Sequence, residues 1–313
     1  MRAAAILGPG NVSKYVERFK RVGSAEWTEW PPTSSTDADV VVIFGGDGTI
    51  HRHLAQLIKL GLSVLVVPCG SGNDFARALK LRSVHDSLSA WRKFVAIGNN
   101  VRTIDLGLIR EIAPATTVRV APVQNSKAKA SDKSVRPTHA NLEHYFCCVA
   151  GAGIDTEIAR RCNALPKWFR AHGGYALCAP GEFLRFKPPS MKIAMEHDGV
   201  ENEGTAQPTI LAAFANAPAF GGGMKIAPHA LLDDGRLDVC IVRAMNRAKL
   251  FGLFPTVYFG GHLRFREIEY AQTETARLET GFPIDVYADG EYVCQTPVEF
   301  SVARDALRVI IPD

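Results

Sequence analysis

The chain has 313 residues, 47% of them apolar and 22% charged, with a formal net charge of +4. That composition excludes a disordered chain and an integral membrane protein, and the length suggests two domains. The slight basic excess falls short of the dense Lys/Arg stripe that displaces counterions from nucleic acid, so no nucleic-acid partner is expected. From the N-terminus, residues 3–7 read as a short apolar strand, too brief for a signal-peptide core, broken at Gly8-Pro9-Gly10. Val12, Tyr15, Val16 and Phe19 then recur at the spacing of one helix face. Residues 40–44 are a continuous buried strand, Ile50, Leu54, Leu57 and Ile58 mark another helix face, and residues 63–67 form the next strand. A short helix around Phe75 follows, then one on Val84, Leu88, Trp91 and Val95, opened by Ser83 with Asp86 at capping-box spacing. Wholly apolar strands separated by amphipathic helices predict a parallel sheet covered on both faces.

From Val101 the period changes. Short or alternating apolar runs at 191–195, 209–214, 237–242, 284–287 and 307–311 predict antiparallel sheets, arranged as a sandwich. Helical patterning survives at 154–165, 175–186 and 245–254. The stretch 111–141, rich in Ala, Ser, Thr, Pro and Lys, reads as a mobile insertion in a hairpin and no site is expected there. The charge-free window 205–224 holds two prolines and three successive glycines, which does not suit a membrane span. Seven cysteines, with no C-x-x-C pair and two side by side at Cys147 and Cys148, suggest neither a disulfide framework nor a zinc knuckle. They read as small core residues, and a reducing, cytoplasmic setting is expected.

Two segments carry chemistry. The strand 40–44 runs into Gly45-Gly46-Asp47-Gly48-Thr49 and then a helix, a turn that lets backbone amides and a helix N-terminus face a phosphate. Asp47 does not suit a phosphate directly but could hold Mg²⁺ against one. One strand later, Pro68-Cys69-Gly70-Ser71-Gly72-Asn73-Asp74-Phe75-Ala76-Arg77 repeats the form. In an open parallel sheet both turns lie at the carboxyl edge and face one crevice. Taken alone, Asn73 and Asp74 are equally well explained as helix caps, Asp155 likewise, and Asp233-Asp234-Gly235 and Asp289-Gly290 as hairpin turns. His51 and His53, two residues apart on a helix, cannot chelate one metal together, which leaves them surface or phosphate-edge roles.

Together the two glycine loops resemble the catalytic domain of the diacylglycerol kinase and sphingosine kinase superfamily, particularly its bacterial lipid kinases. The likeness continues through Ile104-Asp105-Leu106-Gly107, Gly151-Ala152-Gly153-Ile154-Asp155, the run from Asn216 to Pro228, Asp233-Asp234-Gly235-Arg236-Leu237-Asp238 and Asp289-Gly290-Glu291, and so spans nearly the whole chain. It implies an N-terminal doubly wound, phosphofructokinase-like α/β domain over 1–101, a C-terminal β-sandwich over 102–313 and an active site in the cleft between them. The last strand either completes the sandwich or returns to the first domain. It implies an enzyme that transfers the γ-phosphoryl group of ATP, with Mg²⁺, to the hydroxyl of a diacylglycerol, a sphingoid base or a related membrane alcohol. Carried over by position, Gly45, Gly46, Asp47, Gly48, Thr49, Arg52, Gly70, Ser71, Asn73 and Asp74 would contact the nucleotide or line its cleft. Asp47 would serve the metal–phosphate cluster, Asp234 would hold a Mg²⁺ with the carbonyls of Leu231 and Arg236, and Glu291 would be the general base.

The sequence departs from the family at its first turn, where Leu7-Gly8-Pro9-Gly10-Asn11 replaces an Asn-Pro-x-Ser-Gly type and Ser13-Lys14 comes later. A lipid acceptor requires docking at the membrane's inner face. Arg160, Arg161, Lys167, Trp168, Phe169, Arg170, Arg185, Phe186 and Lys187 mix cations with aromatics, as interfacial segments and solvated basic faces both do. Two other readings stand beside this one: an NAD kinase, which shares Gly-Gly-Asp-Gly-Thr, and a nucleotide or lipid sensor without turnover. The form Asn73-Asp74-Phe75-Ala76-Arg77 and the late Asp-Gly-Glu favour the lipid branch. A homo-oligomer is compatible with the sequence, which does not decide it.

Overall fold

The computed structural model describes residues 1–32, 36–112, 143–163, 174–197 and 199–312. Its first lobe is built on strands β1 (Arg2–Leu7), β2 (Glu26–Glu29), β3 (Val40–Gly45) and β4 (Ser63–Pro68), parallel and in the order β2-β1-β3-β4. All of β3 and nearly all of β4 are buried, as unbroken Val/Ile/Leu runs require when helices cover both faces. Helices α1 (Ser13–Lys20) and α4 (Val84–Ala96) pack together on one face, where Phe19 meets Phe44 edge-on at 5.2 Å and Trp91 donates its indole N–H to the Phe19 carbonyl. The cap expected at Ser83 is formed, its hydroxyl accepting the Asp86 amide at 3.2 Å. Helix α2 (Asp47–Leu60) and the short α3 (Asp74–Ala78) lie towards the second lobe. The chain leaves β1 towards β2 on one side and β3 on the other, so the switch point falls between the turns that follow β1 and β3.

The second lobe is a sandwich. One layer holds β5 (Val101–Glu111), β6 (Glu143–Phe146), β8 (Ser190–His197), β9 (Val200–Asn202), β13 (Thr275–Thr280) and β16 (Val298–Ile310). The other runs β12 (Ile268–Thr273), β11 (Leu237–Arg243), β10 (Gln207–Ala215), β7 (Val149–Gly153), β14 (Asp285–Ala288) and β15 (Glu291–Gln295). Phe214 of one layer stacks on Phe300 of the other at 3.8 Å, inside a buried cluster with Phe146, Met191, Ile193 and Val286. Helices α5 (Ile154–Asn163), α6 (Gly174–Arg185) and α7 (Arg247–Leu253), with a 3-10 turn at Phe254–Phe259, gather at one end.

The last strand does both things the sequence left open. Its first half pairs with β13, its last residues pair in parallel with β4 at Arg308 and Val309, and β5 follows it along its length. Asp105 holds the irregular step between Ala303 and Leu307: its carboxylate accepts the amides of Asp305 and Gly235, both at 2.8 Å. The expected hairpin around 111–141 is the β5–β6 pair, and residues 113–142 lie outside the described residues.

Candidate active site

Where the lobes meet lies a cleft of about 900 Å³. Its floor is the pair of glycine turns. A Cβ on Gly46 would stand 2.8 Å from the Gly70 Cα, and one on Gly70 would stand 2.5 Å from the Gly46 Cα, so the two turns touch backbone to backbone. Only glycine permits that approach. Among the described residues no side chain caps the start of α2; Thr49 and Ile50 donate their amides back to the Gly46 carbonyl, which leaves those of Asp47 and Gly48 to face a ligand. This open, amide-lined cradle fits the phosphates of a nucleotide.

Asp47 opens α2 beneath the cradle. Its two oxygens accept the amides of Asp74 and Phe75, at 3.0 and 3.1 Å, which ties the two turns together and caps α3. Burial, and then the charge of Asp74, push its carboxyl up to about 6 despite those bonds. Asp74 is also buried; it accepts Arg77 at 2.6 Å and the amide of Gly222, from the second lobe, at 2.7 Å. A point at the Gly72 Cβ position would lie 2.8 Å from an Asp47 oxygen and 3.6 Å from an Asp74 oxygen. Two carboxylates crowded against one gap, one of them resisting ionisation, fit a divalent cation bound between them and phosphate oxygens. Among the described residues no group of three His, Cys, Asp or Glu side chains could hold a metal by itself.

The opposite wall comes from the β14–β15 turn. Asp289 and Gly290 both have positive φ (51° and 87°), the backbone of a two-residue hairpin turn. The Asp289 side chain is turned inward: its oxygens accept the amides of Cys147 and Cys148 at 2.8 Å and of Val149 at 3.3 Å, and one faces His51 Nδ1 at 3.3 Å. His51 is therefore not the surface residue the sequence allowed: only 16% of its side chain is exposed, and it joins α2 to the second lobe. Burial opposes its charge, but the hydrogen bond to Asp289 and the charges of Asp289 and Glu291 prevail, so its pKa is raised. Glu291 follows directly, with an oxygen 3.1 Å from the position a Gly48 Cβ would take. Its carboxylate thus leans over the first turn of α2.

Of the residues expected here, Gly45, Gly46, Asp47, Gly48, Thr49, Arg52, Gly70, Ser71, Asp74 and Glu291 line the cleft. Asn73 is not among the lining residues. It takes a left-handed conformation and folds onto Gly70, accepting its amide at 2.8 Å and donating to its carbonyl at 2.6 Å, so it shapes the loop. Asp234, Leu231 and Arg236 are not brought to the cleft either. Asp234 sits between β10 and β11, accepts the Arg236 amide at 3.1 Å and faces Gln272 at 3.4 Å, with lone pairs to spare for a hard cation. Pro9 of the altered first turn does line the cleft. Lys14 lies near enough to Cys69 for its charge to oppose the burial that raises that thiol.

The structure also brings to the cleft Tyr258 and Tyr287, which the sequence analysis did not single out, and Phe220 and Asp155, which it quoted within longer motifs without a place in the site. Asp155, in the first turn of α5, borders both the cleft and an adjoining small apolar cavity framed by α5, α6, α7, the 3-10 turn and β10. One of its oxygens has no hydrogen-bond partner among the described residues, and burial pushes its carboxyl up to about 7.

The comparisons with known proteins agree with this geometry. Residues 19–109 match the diacylglycerol kinase catalytic domain family, and residues 148–311 match the YegS C-terminal NAD kinase beta sandwich-like domain. A diacylglycerol kinase of Mycobacterium tuberculosis (strain ATCC 25618 / H37Rv) is 30% identical over 274 residues, covering 88% of this chain and 77% of the relative. The diacylglycerol kinase of Bacillus subtilis (strain 168) is 25% identical over 276 residues, covering 88% and 78%. A putative diacylglycerol kinase from Bacillus anthracis str. Sterne shares the fold with a TM-score of 0.66 at 16% identity, over 99% and 96% of the two chains. An NAD kinase from Archaeoglobus fulgidus in complex with ATP shares it more distantly, at 0.50 and 14% over 100% and 94%. With two family domains in order and a 30% identical relative matched along most of both chains, this chain belongs to the diacylglycerol kinase and YegS-like lipid kinase family and is a phosphotransferase.

Proposed function

We propose that the cleft transfers the γ-phosphoryl group of ATP to the hydroxyl of a membrane lipid, a diacylglycerol or a related alcohol such as a sphingoid base. The observation that carries this reading is the position of Glu291, leaning from the second lobe over the helix terminus that would cradle the phosphates. An acceptor hydroxyl between them would lose its proton to Glu291 as its oxygen bonds to the γ-phosphorus and the bridging P–O bond breaks, releasing ADP. The α2 amides and the two glycine turns orient the triphosphate, and Asp47 fixes one turn against the other. Mg²⁺ between the phosphates, Asp47 and Asp74 would supply charge neutralisation there. A structural Mg²⁺ would be held by Asp234 with the carbonyls of Leu231 and Arg236, apart from the transfer.

The cavity beside the cleft, apolar but for Asp155 and His262 at its border, favours a lipid over a soluble dinucleotide, because Phe183, Leu250, Leu253 and Phe254 suit a hydrocarbon better than a nucleoside. No helix among the described residues is long and apolar enough to cross a membrane. With ATP as donor and a bilayer lipid as acceptor, the reading places the chain at the cytoplasmic face of the membrane, in phospholipid synthesis. The test is γ-labelled ATP with Mg²⁺ over mixed micelles of diacylglycerol, sphingosine, ceramide and a polyprenol, with NAD as soluble acceptor. Label is expected in one lipid, and Glu291→Gln should lower turnover by roughly 10²–10⁴-fold with nucleotide affinity retained. Label in NAD alone, or nucleotide binding with no transfer to any acceptor, would refute the lipid reading.

A further inference from the structure

Three exposed large apolar side chains belong to the helical end of the second lobe: Leu184 on α6, Phe251 on α7 and Phe259 at the end of the 3-10 turn, 53%, 37% and 85% exposed. They sit on elements packed against one another through Phe183, whose ring meets Phe251 at 5.3 Å and Phe254 at 5.1 Å, both edge-on. An apolar side chain as open as Phe259 gains nothing from the fold, and several on one packed unit mark an interaction surface.

The cations around them are divided in use. Arg160, Arg161, Lys249 and Arg266 are paired with Glu157, Glu182, Glu267 and Glu267. Arg185, Lys187, Arg247 and Arg264 are exposed and have no ion-pair partner among the described residues. Arg185 adjoins Leu184, Arg247 and Phe251 share one helix face at i, i+4, and Arg264 ends the 3-10 turn just after Phe259 (Gly261–Arg264). Of the cations and aromatics singled out in the sequence, Lys167, Trp168, Phe169 and Arg170 lie outside the described residues, and Arg160 and Arg161 are spent on internal pairs.

Apolar tips among unpaired cations are the complement of a bilayer surface rich in anionic lipid, where the rings enter the headgroup boundary and the cations meet phosphates. The elements that carry this face also line the apolar cavity beside the cleft. Phe183 and Phe254 line that cavity while Leu184 and Phe259 project from the same elements, and Tyr258, one residue before Phe259, lines the cleft. We infer that α6, α7 and the 3-10 turn form the membrane-docking face, with Leu184, Phe251 and Phe259 inserting and Arg185, Lys187, Arg247 and Arg264 holding anionic headgroups. The inference rests on the lipid-kinase reading only for what passes from the bilayer to the cleft.

The test is co-sedimentation of the full chain with vesicles of phosphatidylcholine alone and of phosphatidylcholine with phosphatidylglycerol, at low and high salt, with nucleotide affinity measured separately without lipid. The native chain should bind the anionic vesicles, less so in high salt. Arg247→Glu, a change of two charges at about fivefold each near the surface, should weaken binding by about 25-fold, and Phe259→Ser by roughly tenfold. Nucleotide affinity should not change in either variant. Equal binding to neutral and anionic vesicles, or native binding by both variants, would overturn the docking face. So would a dimer that Phe259→Ser converts to a monomer, which would make the face a contact between copies. Patch-dependent vesicle binding without phosphorylation of any lipid would leave the face standing and overturn the reading of the acceptor instead.

Discussion

Replacing Asp289 by Asn changes one atom in a carboxylate that is 2% exposed and serves three backbone amides and a histidine. The amide has a single oxygen. If that oxygen stays with Cys148 and Val149, the Cys147 amide faces an NH₂ donor; if it turns to Cys147, the other two amides are abandoned. Losing one bond to a charged acceptor and leaving a buried N–H unsatisfied should cost about 3 kcal/mol. Urea unfolding followed by circular dichroism reads this as a lower midpoint at unchanged slope. His51 gives a second readout, because its raised pKa depends on Asp289: in the variant its imidazole should titrate lower, measured by NMR. The sign of the pH effect follows. A histidine with a raised folded-state pKa stabilises the fold fully below its unfolded value of about 6.5 and loses that contribution as pH rises through the folded value. The gap between native and variant should therefore be widest on the acid side and narrow with rising pH, without closing, since the amide bonds do not titrate. A variant within 1 kcal/mol of native at both ends of that range would refute the reasoning, by showing that water or a shifted turn satisfies the three amides as well as the carboxylate does.

Two further substitutions test the site from other directions. Asp155, raised from 3.8 to about 7 by burial, stabilises the fold fully below pH 3.8 and loses this by pH 7, a swing of about 4 kcal/mol. Asp155→Asn should remove most of that dependence, leaving the variant more stable than native at pH 8 in urea titrations; equal slopes of stability against pH would contradict it. Gly70→Ala places a methyl 2.5 Å from the Gly46 Cα, a backbone atom that cannot step aside. It should weaken nucleotide binding by roughly tenfold or more, seen by calorimetry, while the far-ultraviolet spectrum is retained; undiminished binding would mean that the two turns need not touch.

Much of this was legible in the sequence where the chemistry is carried by the backbone. Glycine turns after apolar strands announce a phosphate cradle because no side chain is needed to build one, and 40–44 and 63–67 could only be buried strands. Strand β2 escaped notice because Glu-Trp-Thr-Glu at a sheet edge has no apolar run. Strands β12 and β13 were hidden by their mixed Glu, Gln, Thr and Arg faces. The length of β16 was hidden by the left-handed Asp305, which reads as a stop but sits in a step braced by Asp105. The hairpin turn at Asp289 was legible, but the amides and the histidine its side chain serves, the inward partner of His51 and the place of Asp155 at the cleft were not. His51 and Asp289 are 238 residues apart, and what each does depends on which partner the fold presents.

Strands β5 and β16 run through both lobes as one hydrogen-bonded ribbon. Two strands paired along their length tie the lobes by many hydrogen bonds at once, so the cleft is not expected to open like a jaw on a loose linker. With a hydrogen-bonded ribbon common to both, neither lobe has a boundary at which it could come apart alone, and the two are expected to lose structure together.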